Sequence, residues 1–108
     1  MLYELRTYYA VPGKLPAMLS RFENHTTALF AKHGIRDIGY WTTVIGEDNN
    51  ALVYFLTWES LAEREQRFAA FGKDPERRKV VAESEKDGPI VARIASQILA
   101  PTGFSKLR

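Results

Sequence analysis

The spacing of apolar positions changes along the chain, and each change marks a new element of secondary structure. Apolar side chains recur every three or four residues between Leu15 and His33, which predicts an amphipathic helix. Gly34 follows directly, and glycine suits the left-handed backbone that ends many helices. Four further segments, rich in apolar residues and bounded by turn residues, are predicted as strands: Leu2 to Ala10, Ile35 to Ile45, Ala51 to Trp58 and Ile90 to Ala100.

A second helical region lies between the third and fourth predicted strands. Ser60 with Glu63 forms a capping-box pattern that predicts a helix start. Asp74 followed by Pro75 suits the cap and first turn of a further helix, which extends to Ser84. The element order is then βαββαβ, which predicts an α+β fold of the ferredoxin-like kind, with an antiparallel sheet and both helical regions on one face.

The third strand has apolar side chains on both of its faces. Leu52, Tyr54 and Leu56 point to one side, and Val53 and Phe55 point to the other. Because the helical segments are long enough to cover only one face of the sheet, something else must cover the second face. We expect a second copy of the chain there, which gives a homodimer whose two sheets form a dimeric α+β barrel.

The alternative is a monomer whose own C-terminal tail crosses the open face. That tail carries Phe104 and Leu107 outside any strand or helix pattern. Phe104 could therefore anchor either in its own subunit or in a partner.

Composition limits the class of protein further. The 108 residues are 45% hydrophobic and 26% charged, as expected for one domain spanning residues 1–108. The chain has no cysteine, so we expect a cytoplasmic protein with neither disulfides nor thiolate metal sites. Opposite charges are interspersed and sum to +2, which argues against nucleic acid as a partner. No segment resembles a signal peptide or is apolar over the length of a membrane span, so we expect no membrane insertion.

Seven short fragments match one known family in their order along the chain: Leu2-Tyr3-Glu4-Leu5-Arg6-Thr7-Tyr8, Pro12-Gly13-Lys14, Leu29-Phe30-Ala31-Lys32-His33-Gly34, Ile38-Gly39-Tyr40-Trp41, Trp58-Glu59-Ser60, Asp74-Pro75-Glu76 and Pro101-Thr102-Gly103-Phe104-Ser105. Together they resemble the NIPSNAP family over essentially the whole chain. The resemblance implies the dimeric α+β barrel fold. It also implies that bacterial relatives mostly lack an assigned activity and that animal relatives are associated with mitochondria and vesicle traffic. It supplies no catalytic residue.

Polar residues on the first strand are the first candidates for a binding site. Glu4, Arg6 and Tyr8 share one face, which we expect to line the barrel interior opposite a helix-covered face. The fourth strand lies beside the first in this topology, so Arg93 is expected close to Glu4 and Arg6. Such a pocket could bind an organic acid through its guanidinium groups. The alternative is an internal or dimer-bridging ion pair between Glu4 and Arg6 or Arg93.

Two further candidates are His33 and Trp41. His33 could serve as a base or a ligand, although a histidine in the last helical turn also interacts favourably with the helix dipole. Trp41 could form part of an aromatic wall for a planar ligand, or could simply belong to the core. His25 and His33 lack the spacing of a shared metal site, so we predict no metal and no cofactor.

Two classes of function remain open. The first is a module that binds a small organic ligand or another protein without catalysis. The second is a cofactor-independent oxygenase or isomerase that acts on a planar organic substrate, with Arg6, Arg93 or His33 assisting proton movement. An enzyme requires a cavity on which these side chains converge.

Overall fold

Four strands form one antiparallel sheet in the computed structural model, which describes residues 1–108. They are β1 (Leu2–Ala10), β2 (Arg36–Thr42), β3 (Ala51–Trp58) and β4 (Val91–Leu99). Their order across the sheet is β2-β3-β1-β4. The ferredoxin-like order predicted from the sequence is therefore confirmed.

The helices follow the predicted positions with one addition. The first helical region runs through α1 (Leu15–Arg21), a π-helical segment (Phe22–Thr26) and α2 (Thr27–Lys32). The second region contains α3 (Leu61–Lys73) and α4 (Pro75–Ser84). The apolar spacing indicated a helix over residues 15–33 but gave no sign of the π-helical segment inside it.

Side-chain caps begin α3 and α4 as their sequences predict. Ser60 Oγ accepts a hydrogen bond from the backbone N–H of Glu63 at 3.1 Å. The Glu63 carboxylate accepts from the N–H of Glu59, one residue before the position that the capping-box pattern predicts. Asp74 accepts from the N–H of Glu76 at 2.9 Å and thereby caps α4.

The second strand is shorter than predicted and ends at Thr42 rather than Ile45. The last residue pair in its ladder with β3 joins Thr42 to Leu52. Beyond that pair the chain loops away, and Val44 and Ile45 are 91% and 94% exposed. Their β-branched side chains favoured a strand, but no neighbouring strand is available to pair with them.

The face of the sheet that carries Glu4, Arg6 and Tyr8 was predicted wrongly. Glu4 lies opposite Leu56 and Arg6 lies opposite Tyr54, and both of these partners are fully buried beneath the helices. The polar face of β1 was expected on the open side because its opposite neighbours, Tyr3, Leu5 and Tyr9, suit a helix-covered face. The structure instead surrounds Glu4 with hydrogen-bond donors on the helix-covered side.

The expected position of Arg93 beside Glu4 and Arg6 is wrong for the same reason. Arg93 pairs with Tyr9 in the ladder between β1 and β4, so it lies on the open face. The helix-covered face instead holds a single buried cluster. It comprises Ala10, Met18, Phe22, Phe30, Ile35, Leu52, Tyr54, Leu56, Trp58 and Ile90.

The open face of the sheet carries apolar side chains that are only partly shielded. Val53 and Phe55 are half-buried, and Trp41 is 52% exposed. The C-terminal tail, residues 100–107, contributes to a groove at one end of this face beside Tyr3 and Leu99. Phe104 is nevertheless 90% exposed, so the tail does not bury it in its own subunit.

Candidate functional site

Glu4 is the centre of a buried polar cluster between the sheet and α3. Its Oε1 accepts hydrogen bonds from Trp58 Nε1 at 2.9 Å and Arg64 Nε at 2.7 Å. Its Oε2 accepts from Ser96 Oγ, Arg6 Nη1 and Arg64 Nη2 at 2.6, 2.8 and 3.0 Å. Burial alone would raise the pKa of Glu4, but these hydrogen bonds outweigh it and lower the pKa to about 2. The carboxylate is therefore ionised and fully partnered.

The guanidinium of Arg6 is also fixed by hydrogen bonds within the chain. Its Nε donates to the hydroxyl of Tyr54 at 2.8 Å, and its Nη2 donates to the hydroxyl of Tyr8 at 3.3 Å. The guanidinium also stacks against Phe68 of α3. Burial raises the pKa of the Tyr54 phenol above its usual range, so that phenol stays neutral.

Every nitrogen of the Arg6 guanidinium thus has a partner within the chain. The ion pair between Glu4 and Arg6, weighed from the sequence as the alternative to a binding pocket, is present at 2.8 Å. Arg64 was missed by sequence reasoning, although its spacing was informative. It follows Leu61 by three residues and precedes Phe68 by four, which places it on the same helical stripe.

His33 joins the two helical regions. Its Nε2 lies 2.6 Å from Asp74 Oδ2, and its ring meets Phe71 edge-on. Asp74 also pairs with Lys32 at 2.8 Å while it caps α4. Lys32 first, and His33 second, hold the pKa of Asp74 well below its usual range. The position of His33 at the helix end is as predicted, and its contacts tie α2 to α4.

Trp41 and Arg93 lie on the open face, away from Arg6. The Trp41 ring packs edge-on against Phe55 at a centroid distance of 6.1 Å. The Arg93 guanidinium stacks on Tyr9, with its carbon 3.7 Å from the ring centroid. The six residues singled out from the sequence therefore occupy three separate places in the fold.

A cavity of about 630 Å³ lies between the first helical region and strands β2 and β3. None of the six sequence-predicted site residues lines it. Its walls are formed by Pro16, Leu19, Ser20, Phe22, Glu23, Thr27, Tyr40 and Leu52.

The chain contains no cluster of three or more His, Asp or Glu side chains placed to hold a metal ion. Its helices are all too short or too polar to cross a membrane.

Comparison with known protein families shows to which family the chain belongs. The family model described as NIPSNAP matches residues 3–106. The chain belongs to the NIPSNAP family. This agrees with the fragments in the sequence that resemble that family and with the order of its strands.

Other NIPSNAP proteins show the same architecture. The structure of a NIPSNAP family protein with unknown function from Agrobacterium tumefaciens superposes with a TM-score of 0.86 at 29% identity, covering 100% of this chain and 94% of that one. Human protein NipSnap homolog 3A is 29% identical over 76 residues, which are 70% of this chain and 30% of the human protein. The chain thus spans under a third of that curated relative.

More distant structures share only the fold. A putative antibiotic biosynthesis monooxygenase from Nitrosomonas europaea superposes with a TM-score of 0.62 at 10% identity, over 94% of this chain and 98% of that one. The NIPSNAP architecture is therefore a ferredoxin-like α+β fold that other protein groups also use.

Proposed function

We propose that this NIPSNAP chain works as a homodimeric binding module whose two copies join through the open faces of their sheets. The observation that carries the proposal is the incomplete cover of that face. Val53 and Phe55 point outward from β3, one of the two inner strands, and Trp41 and Leu99 on the same face are 52% and 39% exposed. Exposed apolar area of this kind favours association, and symmetric dimers are the commonest result.

The charged candidates favour binding over catalysis. Arg6 is bonded to Glu4, Tyr8 and Tyr54 under the helices. His33 is paired with Asp74 at the helix junction, and Arg93 lies on the opposite face of the sheet. The alternative function, a cofactor-independent oxygenase or isomerase, requires these groups to converge on a substrate, and they do not. We therefore propose that the dimer holds a small organic ligand or another protein.

Two further features belong to this proposal. Residues 1–108 act as one domain, supported by the single buried cluster that joins the first helical region to the sheet, with Phe68 and Phe71 of α3 packed against it. The working compartment is the cytoplasm, supported by a composition without cysteine. Fractionation of the native host, followed by immunodetection, tests the compartment.

The dimer is tested with one charge placed on the open face. Native mass spectrometry and light scattering of the wild-type chain should give twice the 12.3 kDa chain mass. The Phe55→Lys variant should give the monomer mass, because each copy would bring an ammonium among the apolar side chains of the groove beside Trp41. Leu61→Lys is the matched control, since Leu61 is 56% exposed on the helical layer. A monomeric wild type at micromolar concentration would refute the proposal.

A further inference from the structure

The cavity beneath the first helical region has the size of a small-molecule site. Its volume of about 630 Å³ falls within the range of roughly 300–1,000 Å³ that is typical of ligand pockets. Leu19, Phe22 and Leu52 supply apolar walls, and Phe22 meets the ring of Tyr40 at 6.1 Å. It lies on the helix side of the sheet, so the proposed dimer interface leaves it open.

The π-helical segment forms one side of this cavity. Phe22 and Glu23 belong to the segment, and Thr27 follows it directly; all three line the cavity. A π turn is less stable than a regular helix, and such turns are frequent at functional sites. The hydroxyl of Thr27 donates to the carbonyl of Glu23 at 3.4 Å, which helps to satisfy the backbone there.

The cavity lining carries negative charge and no positive charge. Glu23 is the only charged side chain that lines it, and its carboxylate has no hydrogen-bond or ion-pair partner in the chain. The hydroxyl of Tyr40 donates to a second carboxylate, that of Asp37, at 2.6 Å. Burial, then this hydrogen bond, raises the pKa of the Tyr40 phenol above its usual range, so the phenol stays neutral. No Lys, Arg or His lines the cavity, so an anion has no counter-charge there.

We propose that this cavity binds a small aromatic amine. The ammonium group pairs with the carboxylate of Glu23, and the aromatic ring packs against Phe22, Tyr40 and Leu52. This inference rests on the ligand-binding part of the proposed function, and it names the class of ligand and the site.

Three probes that share one ring separate the contributions of ring and charge. Tryptamine, indole and indole-3-acetate carry an ammonium, no charge and a carboxylate respectively. Backbone amide shifts in NMR titrations of the wild-type dimer give both affinity and location. We expect tryptamine to bind most tightly and indole-3-acetate most weakly, with the largest shifts at Phe22, Glu23 and Tyr40.

Two variants test the residues themselves. Glu23→Gln should remove the advantage of tryptamine over indole, up to about fivefold for an exposed ion pair, and should leave indole unchanged. Glu65→Gln, an exposed glutamate of α3 with no partner in the chain, is the matched control. Ser20→Phe, at an exposed position on the cavity wall, should weaken tryptamine and indole alike by filling the space.

The inference would be overturned by equal or tighter binding of indole-3-acetate, by shifts centred on the open face, or by the absence of binding for all three probes. Light scattering on the same samples reports the dimer independently. Failure of this site and failure of the proposed homodimer are therefore distinguishable.

Discussion

The carboxylate of Glu4 lies 2.7 Å from the Nε of Arg64, a residue 60 positions later in the chain. The pair joins β1, at the middle of the sheet, to α3 above it. Because Glu4 is fully buried and Arg64 only partly so, the pair combines a desolvated charge with a guanidinium that reaches solvent. Such a pair is costly to break by removing one partner.

Replacing Glu4 by Gln should therefore destabilise the fold strongly. Gln keeps the shape of Glu4 but removes the charge that compensates Arg6 and Arg64, and it turns an NH₂ group toward some of their N–H donors. We expect the free energy of unfolding to fall by about 3–5 kcal/mol, measured by urea denaturation. The exposed Glu65→Gln variant should change it by less than about 0.5 kcal/mol. Equal stabilities for the two variants would contradict the structural role of Glu4.

The same carboxylate predicts how stability depends on pH. Its pKa in the folded chain is about 2, below the ordinary value of 4.5. The unfolded chain thus binds the proton more readily at this residue, so its stabilising contribution is complete above about pH 5 and is lost as the pH falls towards 2. Denaturant titrations from pH 7 down to pH 3 measure this loss. The Glu4→Gln variant should show a shallower acid slope than the wild type, and parallel slopes would contradict the prediction.

The indole of Trp41 lies over Gly39 on the open face. A Cβ atom at Gly39 would lie 2.5 Å from Cη2 of that ring. Gly39→Ala should therefore displace the indole, which lies on the face proposed to form the dimer interface, and change the tryptophan emission spectrum. Stability should change by less than about 1 kcal/mol, because the substitution also restricts the unfolded chain.

Gly103→Ala is the control for this displacement. An added Cβ at Gly103 meets no atom within 4 Å, so the emission spectrum should match that of the wild type. The second tryptophan, Trp58, is fully buried and contributes equally to all the spectra. An unchanged spectrum for Gly39→Ala would show that the indole does not rest on the glycine.

Local patterns in the sequence were sufficient for the four strands, the two helical regions and their order, but not for the π-helical segment. The β3 strand runs from Ala51 to Trp58 as predicted, and Ser60 and Asp74 cap the helices that they were expected to cap. These features depend on neighbours in the chain: the period of a strand, the reach of a short side chain to the next backbone N–H groups, and the fixed geometry of proline.

Glu4, Arg6 and Tyr8 share one face of β1 in any fold that keeps this strand, because side chains alternate along a strand. Local sequence does not specify which face of the sheet that is, because long-range packing sets it. The burial of this face depends on Arg64, Trp58 and Ser96, which lie far from Glu4 in the sequence. Their hydrogen bonds together offset the cost of burying the Glu4 carboxylate. The ligand cavity likewise depends on the packing of one helical region over two strands, and no local pattern encodes that arrangement.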